Sequence, residues 1–377
     1  MIYFDNAATC RPEEVALEVF AAVSRENFAN ANSPHIFGYA ASRINEKARA
    51  DILSCLGIDA SHSLVFTSGA TEANSMAIKS VAFQYASRGK KIITSAVEHP
   101  SVLKAFEQLG EHFGYEVVIL PVCPEGFVLP STLAAAMDKD VILVSLMAVN
   151  NETGAIFPVE ELSAVVHRYP KAYFHVDATQ AIGKVAFPYG CADLLSCSAH
   201  KFGGVKGTGF LAYKRSIRFL PLLSGGQQEG GLRGGTVNVP GNAAMAEVLK
   251  SHLAALPSNH QKVSALLSYL KAGLSAIPEI EFNSPDSASP YVFNFSFASH
   301  KAAIIVEGLS EAGIYVSSTS ACNSKGEPLS QVLVAMGHSK ERAANSVRVS
   351  FLPSDSKEEI DIFLSTLKTL LQEVNPR

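Results

Sequence analysis

The sequence predicts an α/β protein with a large domain, in which a mainly parallel sheet lies between helices, and a smaller α+β C-terminal domain. Short apolar runs alternate with helical segments through the first two thirds of the chain, which is typical of parallel strands buried on both faces. After Pro278 the pattern changes, and polar and apolar residues alternate at 292–297. The 377 residues exceed one ordinary core, and 47% hydrophobic against 18% charged residues indicates a well-buried globular chain.

The first 56 residues predict a short extended piece followed by two helices. The extended piece spans 3–9, and the first helix follows Pro12. The apolar face of that helix carries Val15, Val19 and Ala22. Residues 30–38 contain too many turn-forming residues for regular structure, so we predict a loop there and a helix at 39–56.

Seven short strands are predicted between residues 63 and 213. They lie at 63–67, 91–94, 116–120, 141–147, 173–177, 194–196 and 210–213. Helices at 73–85 and from 100 to about 113 separate the first three strands. In a parallel sheet of this kind, ligands bind beyond the carboxyl ends of the strands.

The C-terminal part predicts a separate domain. Pro257 divides the helical residues 242–276 into two helices, and the period of two at 292–297 predicts a half-buried antiparallel strand. The remaining predicted elements are a helix at 301–312, a strand at 314–316, a loop at 317–329, a helix from about 330, a strand at 347–351 and a terminal helix. We place the domain boundary near residue 255, with a large domain at 15–255 and a small domain at 256–377 that includes residues 1–14.

Charge and cysteine content exclude several classes of function. The net charge of −4, the isoelectric point near 6.3 and the lack of any basic run argue against a nucleic-acid partner. No apolar stretch approaches the ~18 residues that span a bilayer, and the N-terminus lacks the features of a signal peptide. The six cysteines show no metal-binding spacing, so we expect no metal site. We expect their thiols to be free, in a reducing cytoplasm.

Four polar residues follow predicted strands of the large domain. They are His99, Asn151, Asp177 and Lys201. Because the carboxyl ends of parallel strands meet at one edge of a sheet, we expect these side chains to converge. A lysine can form a reversible imine with an aldehyde cofactor, although a lysine in a Ser-x-His-Lys run is more often part of a solvated turn.

Other residues suit the remaining parts of such a cofactor, and each has a simpler alternative. The turn at 67–71 precedes a helix whose first N–H groups could bind a single phosphate, although helix capping explains Ser68 and Thr71 equally well. Asp177 could pair with a pyridinium nitrogen or cap its strand. His99 could stack on an aromatic ring or cap a helix, and Arg348 could bind a carboxylate or lie on a solvated strand edge.

Phosphate site, acid, histidine and lysine together describe a pyridoxal phosphate site, and their order resembles a known family. The matching segments are 3–9, 66–72, 98–99, 149–154, 175–180, 198–201, 233–236, 317–322 and 347–348. They read, for example, Tyr-Phe-Asp-Asn-Ala-Ala-Thr, His-Val-Asp-Ala-Thr-Gln and Ser-Ala-His-Lys. On these motifs, which cover nearly the whole chain, the sequence resembles the cysteine desulfurases, class V aminotransferase-like enzymes of fold type I.

The resemblance implies a role for each matching residue. Lys201 would bind pyridoxal 5'-phosphate as an imine and later move protons, Asp177 would pair with the ring nitrogen, and His99 would stack on the ring. The other implied cofactor ligands are Asn151 and Gln180 on the phenolic side and Ala70, Thr71, Ser198 and His200 at the phosphate. In this family Thr236 reaches the phosphate of the neighbouring subunit, which implies a homodimer. Arg348, aided by Asn32, would hold the carboxylate of L-cysteine.

Cys322 separates the desulfurases from their relatives. It lies in a segment rich in serine, glycine and asparagine, which predicts a mobile polar loop, whereas a lone cysteine is ordinarily a small buried hydrophobe. The resemblance makes its thiolate the nucleophile that takes sulfur from L-cysteine, leaving alanine and a persulfide. The sulfur would then pass to an acceptor protein for iron–sulfur assembly or transfer RNA thiolation.

The sequence leaves two alternatives and departs from the family pattern at a few positions. A selenocysteine lyase or another class V enzyme acting on a small amino acid would carry the same cofactor residues. A catalytically inactive scaffold would have lost Lys201 or Cys322, and this chain has both. Phe-Gly-Gly-Val-Lys stands at 202–206 where Tyr-Gly-Pro-Lys is common, and Ser-Phe-Leu-Pro stands at 350–353. These changes remove no group that the cofactor needs, but they leave the sulfur acceptor open.

Overall fold

A seven-stranded sheet forms the centre of the large domain in the computed structural model, which describes residues 1–318 and 329–376. Its strands are β2 (His62–Thr67), β3 (Lys91–Ser95), β4 (Glu116–Leu120), β5 (Val141–Met147), β6 (Tyr173–Asp177), β7 (Leu194–Ser198) and β8 (Gly209–Lys214). The order across the sheet is β2-β8-β7-β6-β5-β3-β4. Only β8 runs antiparallel to its neighbours, so β2, β3, β5, β6 and β7 all end at the same edge.

Helices cover both faces of this sheet. They are α1 (Glu14–Glu26), α2 (Ile36–Cys55), α3 (Ala70–Ser75), α4 (Val81–Gln84), α5 (Pro100–Phe113), α6 (Pro130–Ala136), α7 (Val159–Val166) and α8 (Val239–Ala254). A π-helical turn, Met76–Ser80, joins α3 and α4 into one continuous helical run. This run starts three residues before the predicted 73–85, directly after the turn that follows β2.

The predicted loop at 30–38 is three residues too long. Helix α2 begins at Ile36, because the His35 side chain caps it by accepting from the Gly38 N–H at 3.2 Å. Gly38 lies so close to the preceding turn that a Cβ atom there would come within 2.1 Å of the Ser33 carbonyl oxygen. The glycine therefore allows close packing inside the helix and does not end it.

The small domain contains an antiparallel sheet and a short parallel pair. The sheet order is β12 (Ser317–Ser318), β13 (Ser346–Ser350), β10 (Val292–Phe297) and β9 (Ile280–Phe282), and β1 (Ile2–Tyr3) pairs in parallel with β11 (Ile314–Tyr315). The helices are α9 (Leu256–Ser275), α10 (Ala302–Glu311), α11 (Gln331–Ala335), α12 (Lys340–Ala344) and α13 (Lys357–Glu373).

Strand β10 is antiparallel as predicted, but the prediction that it is half-buried is wrong. All six of its residues are buried. Its polar face does not meet water, because Asn294 donates to the Glu152 carbonyl at 3.2 Å and Ser296 donates to the Arg342 carbonyl at 2.9 Å. The alternation therefore marks a strand with one face on the apolar core and the other face on backbone carbonyls of other segments of the chain.

The apolar core is divided between the two parts of the chain. Two clusters of buried residues pack on the large sheet, and one of them also takes in Leu333 of α11. A third cluster unites β10, β13, α9 and α13 with Ile2, Phe4 and Ala7 from the start of the chain. A domain boundary near residue 255, between α8 and α9, stays a prediction.

Membrane-spanning helices are not found in the part of the chain that the structure describes. None of those helices combines the length and the apolar character needed to cross a bilayer.

Candidate active site

The predicted site residues lie where the large sheet meets the small domain. His99 follows β3, Asn151 follows β5, Asp177 ends β6 and Lys201 follows β7. Since these four strands are parallel, their carboxyl ends bring the four residues to one edge of the sheet. The first ten residues of the chain cross this edge, and Arg348 reaches it from β13.

Lys201 ends a single helical turn, Ala199–Lys201, directly after β7. Its amine donates to the carbonyl oxygens of Ala7 and Ala8, each at 2.7 Å. Burial, and then the positive charges of Lys184 and Arg348, lowers the pKa of Lys201 from 10.5 to about 8. Roughly a tenth of this amine is therefore unprotonated at neutral pH, against far less than a hundredth for an ordinary lysine. The group is suited to attack a carbonyl carbon.

Asp177 is a buried carboxylate held by neutral donors. Asn74 Nδ2 donates to one oxygen at 2.8 Å and the Thr179 N–H donates to the other at 3.0 Å. Within residues 1–318 and 329–376, no cationic side chain forms a salt bridge with it. A buried carboxylate without a cationic partner is costly, so the position suits a ligand that brings a positive charge, such as a pyridinium nitrogen.

His99 caps helix α5, and its ring is exposed towards the site. Its Nδ1 accepts from the Ser101 N–H at 3.1 Å. Partial burial lowers the pKa of His99, and Asp177 only partly opposes this effect. The capping alternative is therefore realised, and a neutral, flat ring remains available for stacking on a ligand.

The turn where β2 leads into α3 is suited to an anion. Gly69 has φ 150°, and a Cβ atom there would lie 3.2 Å from Ser198 Oγ. The first N–H groups of the helix, from Ala70 and Thr71, have no acceptor within the helix. His200 lies on the same side of the sheet, with Nδ1 3.1 Å from Thr9 Oγ1, and burial lowers the pKa of His200 to about 4. Glycine, amides and the Ser198 hydroxyl together fit one phosphate group.

Arg348 is buried, because β13 lies between β12 and β10 inside its sheet. The solvated-edge alternative is therefore wrong. Its Nη2 donates to Asp5 Oδ1 at 2.8 Å and its Nη1 donates to the Asn151 carbonyl at 2.9 Å. Its Nε is buried without a hydrogen-bond partner. A buried guanidinium with an unused donor is suited to a carboxylate.

The remaining predicted site residues are divided between buried and exposed positions. Gln180 is buried beside Lys201, and its Nε2 donates to the Ala7 carbonyl at 2.9 Å. Thr236 is exposed in the loop before α8. Asn32 is exposed in the turn before α2, and no hydrogen bond joins it to Arg348 in the described part of the chain. Cys322 lies outside the described residues.

Sequence reasoning missed several residues that complete the site. Asp5 pairs with Arg348, the carbonyls of Ala7 and Ala8 hold the Lys201 amine, and Asn74 orients Asp177. Lys184 donates to Gln180 Oε1. The motif at 3–9 was the available signal for Asp5, Ala7 and Ala8. Nothing in the local sequence indicates Asn74 or Lys184.

A buried histidine beneath the site makes stability depend on pH. His175 lies on β6 between Ser145 Oγ at 2.7 Å and Ser196 Oγ at 2.6 Å, and burial lowers its pKa from 6.5 to about 4. His175 therefore binds a proton below pH 6.5 in the unfolded chain, but only below about pH 4 in the folded chain. Over that window we expect His175 to remove roughly 3 kcal/mol of the free energy of unfolding as the pH falls.

Urea unfolding of the wild type and of His175→Gln across this window tests that expectation. The variant keeps hydrogen-bonding atoms but does not titrate, so its stability should fall less steeply. His112→Gln, at an exposed histidine, is the matched control. Parallel curves for wild type and His175→Gln would contradict the expected link.

Comparison with known proteins assigns the family. Residues 2–363 match the model of the class V aminotransferases. The chain belongs to this family. The predicted fold class, an α/β fold type I arrangement with a smaller α+β domain, is confirmed by the solved structures that it resembles.

Several relatives are named cysteine desulfurase, and others are named after NifS or IscS. A NifS/IcsS protein homolog of Lactobacillus delbrueckii is 39% identical over 99% of this chain and 97% of that protein. The cysteine desulfurase IscS of Dictyoglomus turgidum is 37% identical over 99% and 95%. A solved NifS-like protein, 35% identical, superposes with a TM-score of 0.92 over 99% of this chain and 100% of its own. A structure described as SspA in complex with cysteine, 30% identical, has a TM-score of 0.81 over 94% and 100%.

Proposed function

We propose that the protein is a pyridoxal phosphate-dependent cysteine desulfurase, which converts L-cysteine to L-alanine and keeps the sulfur as a persulfide on Cys322. The observation that carries the proposal is the convergence of the Lys201 amine, the Asp177 carboxylate and the Arg348 guanidinium at one edge of the sheet. Relatives named cysteine desulfurase, aligned over the whole chain, support the choice of reaction.

The residues present fit the cofactor. Asp177 would hold the ring nitrogen, His99 would stack on the ring, and Asn151 and Gln180 would lie on the phenolic side. The phosphate would be held by the Ala70 and Thr71 amides, Thr71, Ser198 and His200. When bound, pyridoxal phosphate withdraws electrons and so stabilises negative charge on the substrate carbon.

The side chains of this chain divide the remaining work. Arg348 binds the substrate carboxylate, and its Nε is a buried donor that no described protein group accepts. The Lys201 amine, with its pKa lowered to about 8, takes the proton from the substrate Cα and returns protons to carbon. The Cys322 thiolate forms a bond to the substrate sulfur as the carbon–sulfur bond breaks, and that electron pair stays with the carbon. The carbon gains a proton and becomes the methyl group of alanine.

A second copy of the chain is the proposed partner within the enzyme. Large apolar side chains are exposed on α1, α2 and their connection, namely Leu17, Phe20, Phe28, Ile36, Phe37 and Tyr39. Phe28 and Phe37 stack on each other with centroids 6.3 Å apart. A patch of this kind marks an interaction surface, and in a homodimer the exposed Thr236 would serve the neighbouring phosphate site. We also assign the protein to the cytoplasm, with an iron–sulfur scaffold or a transfer RNA-thiolating enzyme as acceptor of the sulfur.

The proposal predicts equal yields of alanine and persulfide sulfur when the holoenzyme meets L-cysteine in a single turnover. Amino-acid analysis measures the alanine, and mass spectrometry measures a gain of one sulfur atom on Cys322. The same assay with L-selenocysteine, and with a keto acid as amino-group acceptor, tests the alternatives. Turnover of selenocysteine alone, or transamination without loss of sulfur, would contradict the proposal.

A further inference from the structure

Lys184 is a second lysine buried at this site. It lies seven residues after the end of β6 and is only 3% exposed. Its amine donates to Gln180 Oε1 at 3.3 Å and lies 5.9 Å from the centre of the Tyr291 ring. In the described ranges no carboxylate forms a salt bridge with it. Burying an ammonium group with so few partners is costly, so the position requires an explanation.

The hydrogen bonds of Lys184 lead to the site lysine through two groups. Gln180 Oε1 accepts from the Lys184 amine, and Gln180 Nε2 donates to the Ala7 carbonyl at 2.9 Å. The same carbonyl accepts from Lys201 at 2.7 Å. Burial lowers the pKa of Lys184. In its ammonium form the group only donates, and Lys184 then selects one of the two orientations of the Gln180 amide. The NH₂ group then points towards Ala7, and its second N–H remains for a ligand.

Lys184 also adds charge next to Lys201. Among the described residues, the charged or titratable groups that act most on the Lys201 amine are Lys184, Arg348, Cys10 and Asp5. His99 and His200 also interact electrostatically with Lys201. Lys184 and Arg348 disfavour a third positive charge, whereas Cys10 and Asp5 act in the opposite sense. Asp5 is already paired with Arg348 at 2.8 Å, so of these two positive neighbours Lys184 is the one that has no carboxylate partner among the described residues.

We propose that Lys184 is a positioning residue of the active site, which fixes the Gln180 amide with its NH₂ group towards the site and keeps the Lys201 amine reactive through its charge. The ligand group that Gln180 would meet is an oxygen that accepts hydrogen bonds, such as the phenolate of pyridoxal phosphate. This last point rests on the proposed function, whereas the effect on Lys201 does not.

The first test measures the pH dependence of Lys201 acetylation by acetic anhydride in the apoprotein, followed by mass spectrometry. In the wild type the midpoint should lie near the pKa of about 8. Lys184→Met removes the charge at similar volume, and we expect the midpoint to rise by about one pH unit. Lys184→Arg should keep the wild-type midpoint, and exposed Lys262→Met is the control. A midpoint in Lys184→Met equal to that of Lys262→Met would overturn the proposal.

Folding of the variant is checked by circular dichroism. If Lys184→Met does not fold, Lys184→Gln, which is neutral and polar, takes its place with the same expected rise. An unchanged midpoint in Lys184→Gln would overturn the proposal in the same way.

The second test measures dissociation of pyridoxal phosphate from Lys184→Met, from Gln180→Leu and from the double variant. If Lys184 acts through Gln180, each single change should weaken binding about fivefold, and the double change should weaken it little further. Independent effects that multiply to about 25-fold would overturn the positioning role. A wild type that binds no pyridoxal phosphate would instead contradict the proposed function, while the acetylation test would still decide the role of Lys184.

Discussion

Lys201→Ala should abolish the yellow colour of the lysine-bound cofactor and lower alanine formation from L-cysteine by at least about 10³-fold. The change removes the amine that burial and neighbouring positive charge give a pKa of about 8 at this edge. It also removes the Lys201 hydrogen bonds to the Ala7 and Ala8 carbonyls, of which Ala7 keeps the bond from Gln180. Visible absorbance after reconstitution with pyridoxal phosphate, together with amino-acid analysis, provides the measurement.

Lys250→Ala is the matched control for this experiment. Lys250 is exposed on α8, so its loss should change neither the colour nor the rate. A Lys201→Ala protein with the wild-type spectrum would refute the assignment of this lysine, even if its activity were low.

Cys322→Ser should keep the colour and lose desulfuration. A serine hydroxyl stays protonated at neutral pH and is a far weaker nucleophile towards sulfur than a thiolate, so we expect a loss on the order of 10³-fold. Persulfide formation after addition of L-cysteine, followed by mass spectrometry, gives the result directly. Cys55→Ser is the control, since burial and the neighbouring Asp51 raise the pKa of that thiol.

Persistence of wild-type desulfuration in Cys322→Ser would remove the nucleophile from the proposed mechanism. Unlike the loss of Lys201, this outcome would leave the cofactor assignment standing. The two variants therefore separate the choice of cofactor from the choice of reaction.

The large sheet could be predicted closely because its signal is local. The predicted bounds of β4, β5 and β6 agree with the structure residue for residue, since continuous apolar runs between turn residues define buried parallel strands. Parallel pairing then dictates that residues at the carboxyl ends meet. The positions of Asp177 and Lys201 at one edge follow from chain direction alone.

Burial on both faces could not be predicted in the small domain. The alternation in β10 looks the same whether its polar side meets water or the Glu152 carbonyl. Arg348 was ambiguous for the same reason, because only the pairing of β13 with both β12 and β10 makes it an inner residue. Helices α6 and α12 are too short for a periodic pattern to be recognised.

Tertiary partners that lie far apart in sequence escaped prediction altogether. Asn74 reaches Asp177 across 103 residues, and Arg348 reaches Asp5 across 343. No local rule relates such residues, so the family motif at 3–9 indicated that this segment matters without showing what it contacts.

The anchoring of the N-terminal segment has a consequence for how the protein is made. The Ser350 N–H donates to the Phe4 carbonyl at 2.7 Å, and the Ala7 N–H donates to Ser350 Oγ at 2.8 Å. Residues 4–7 thus leave the ribosome well before the strand that fixes them. Strand β13 therefore helps to place the Ala7 carbonyl that accepts from the Lys201 amine. A nascent chain that displays Lys201 but not yet β13 therefore lacks the anchored N-terminal segment that meets this amine.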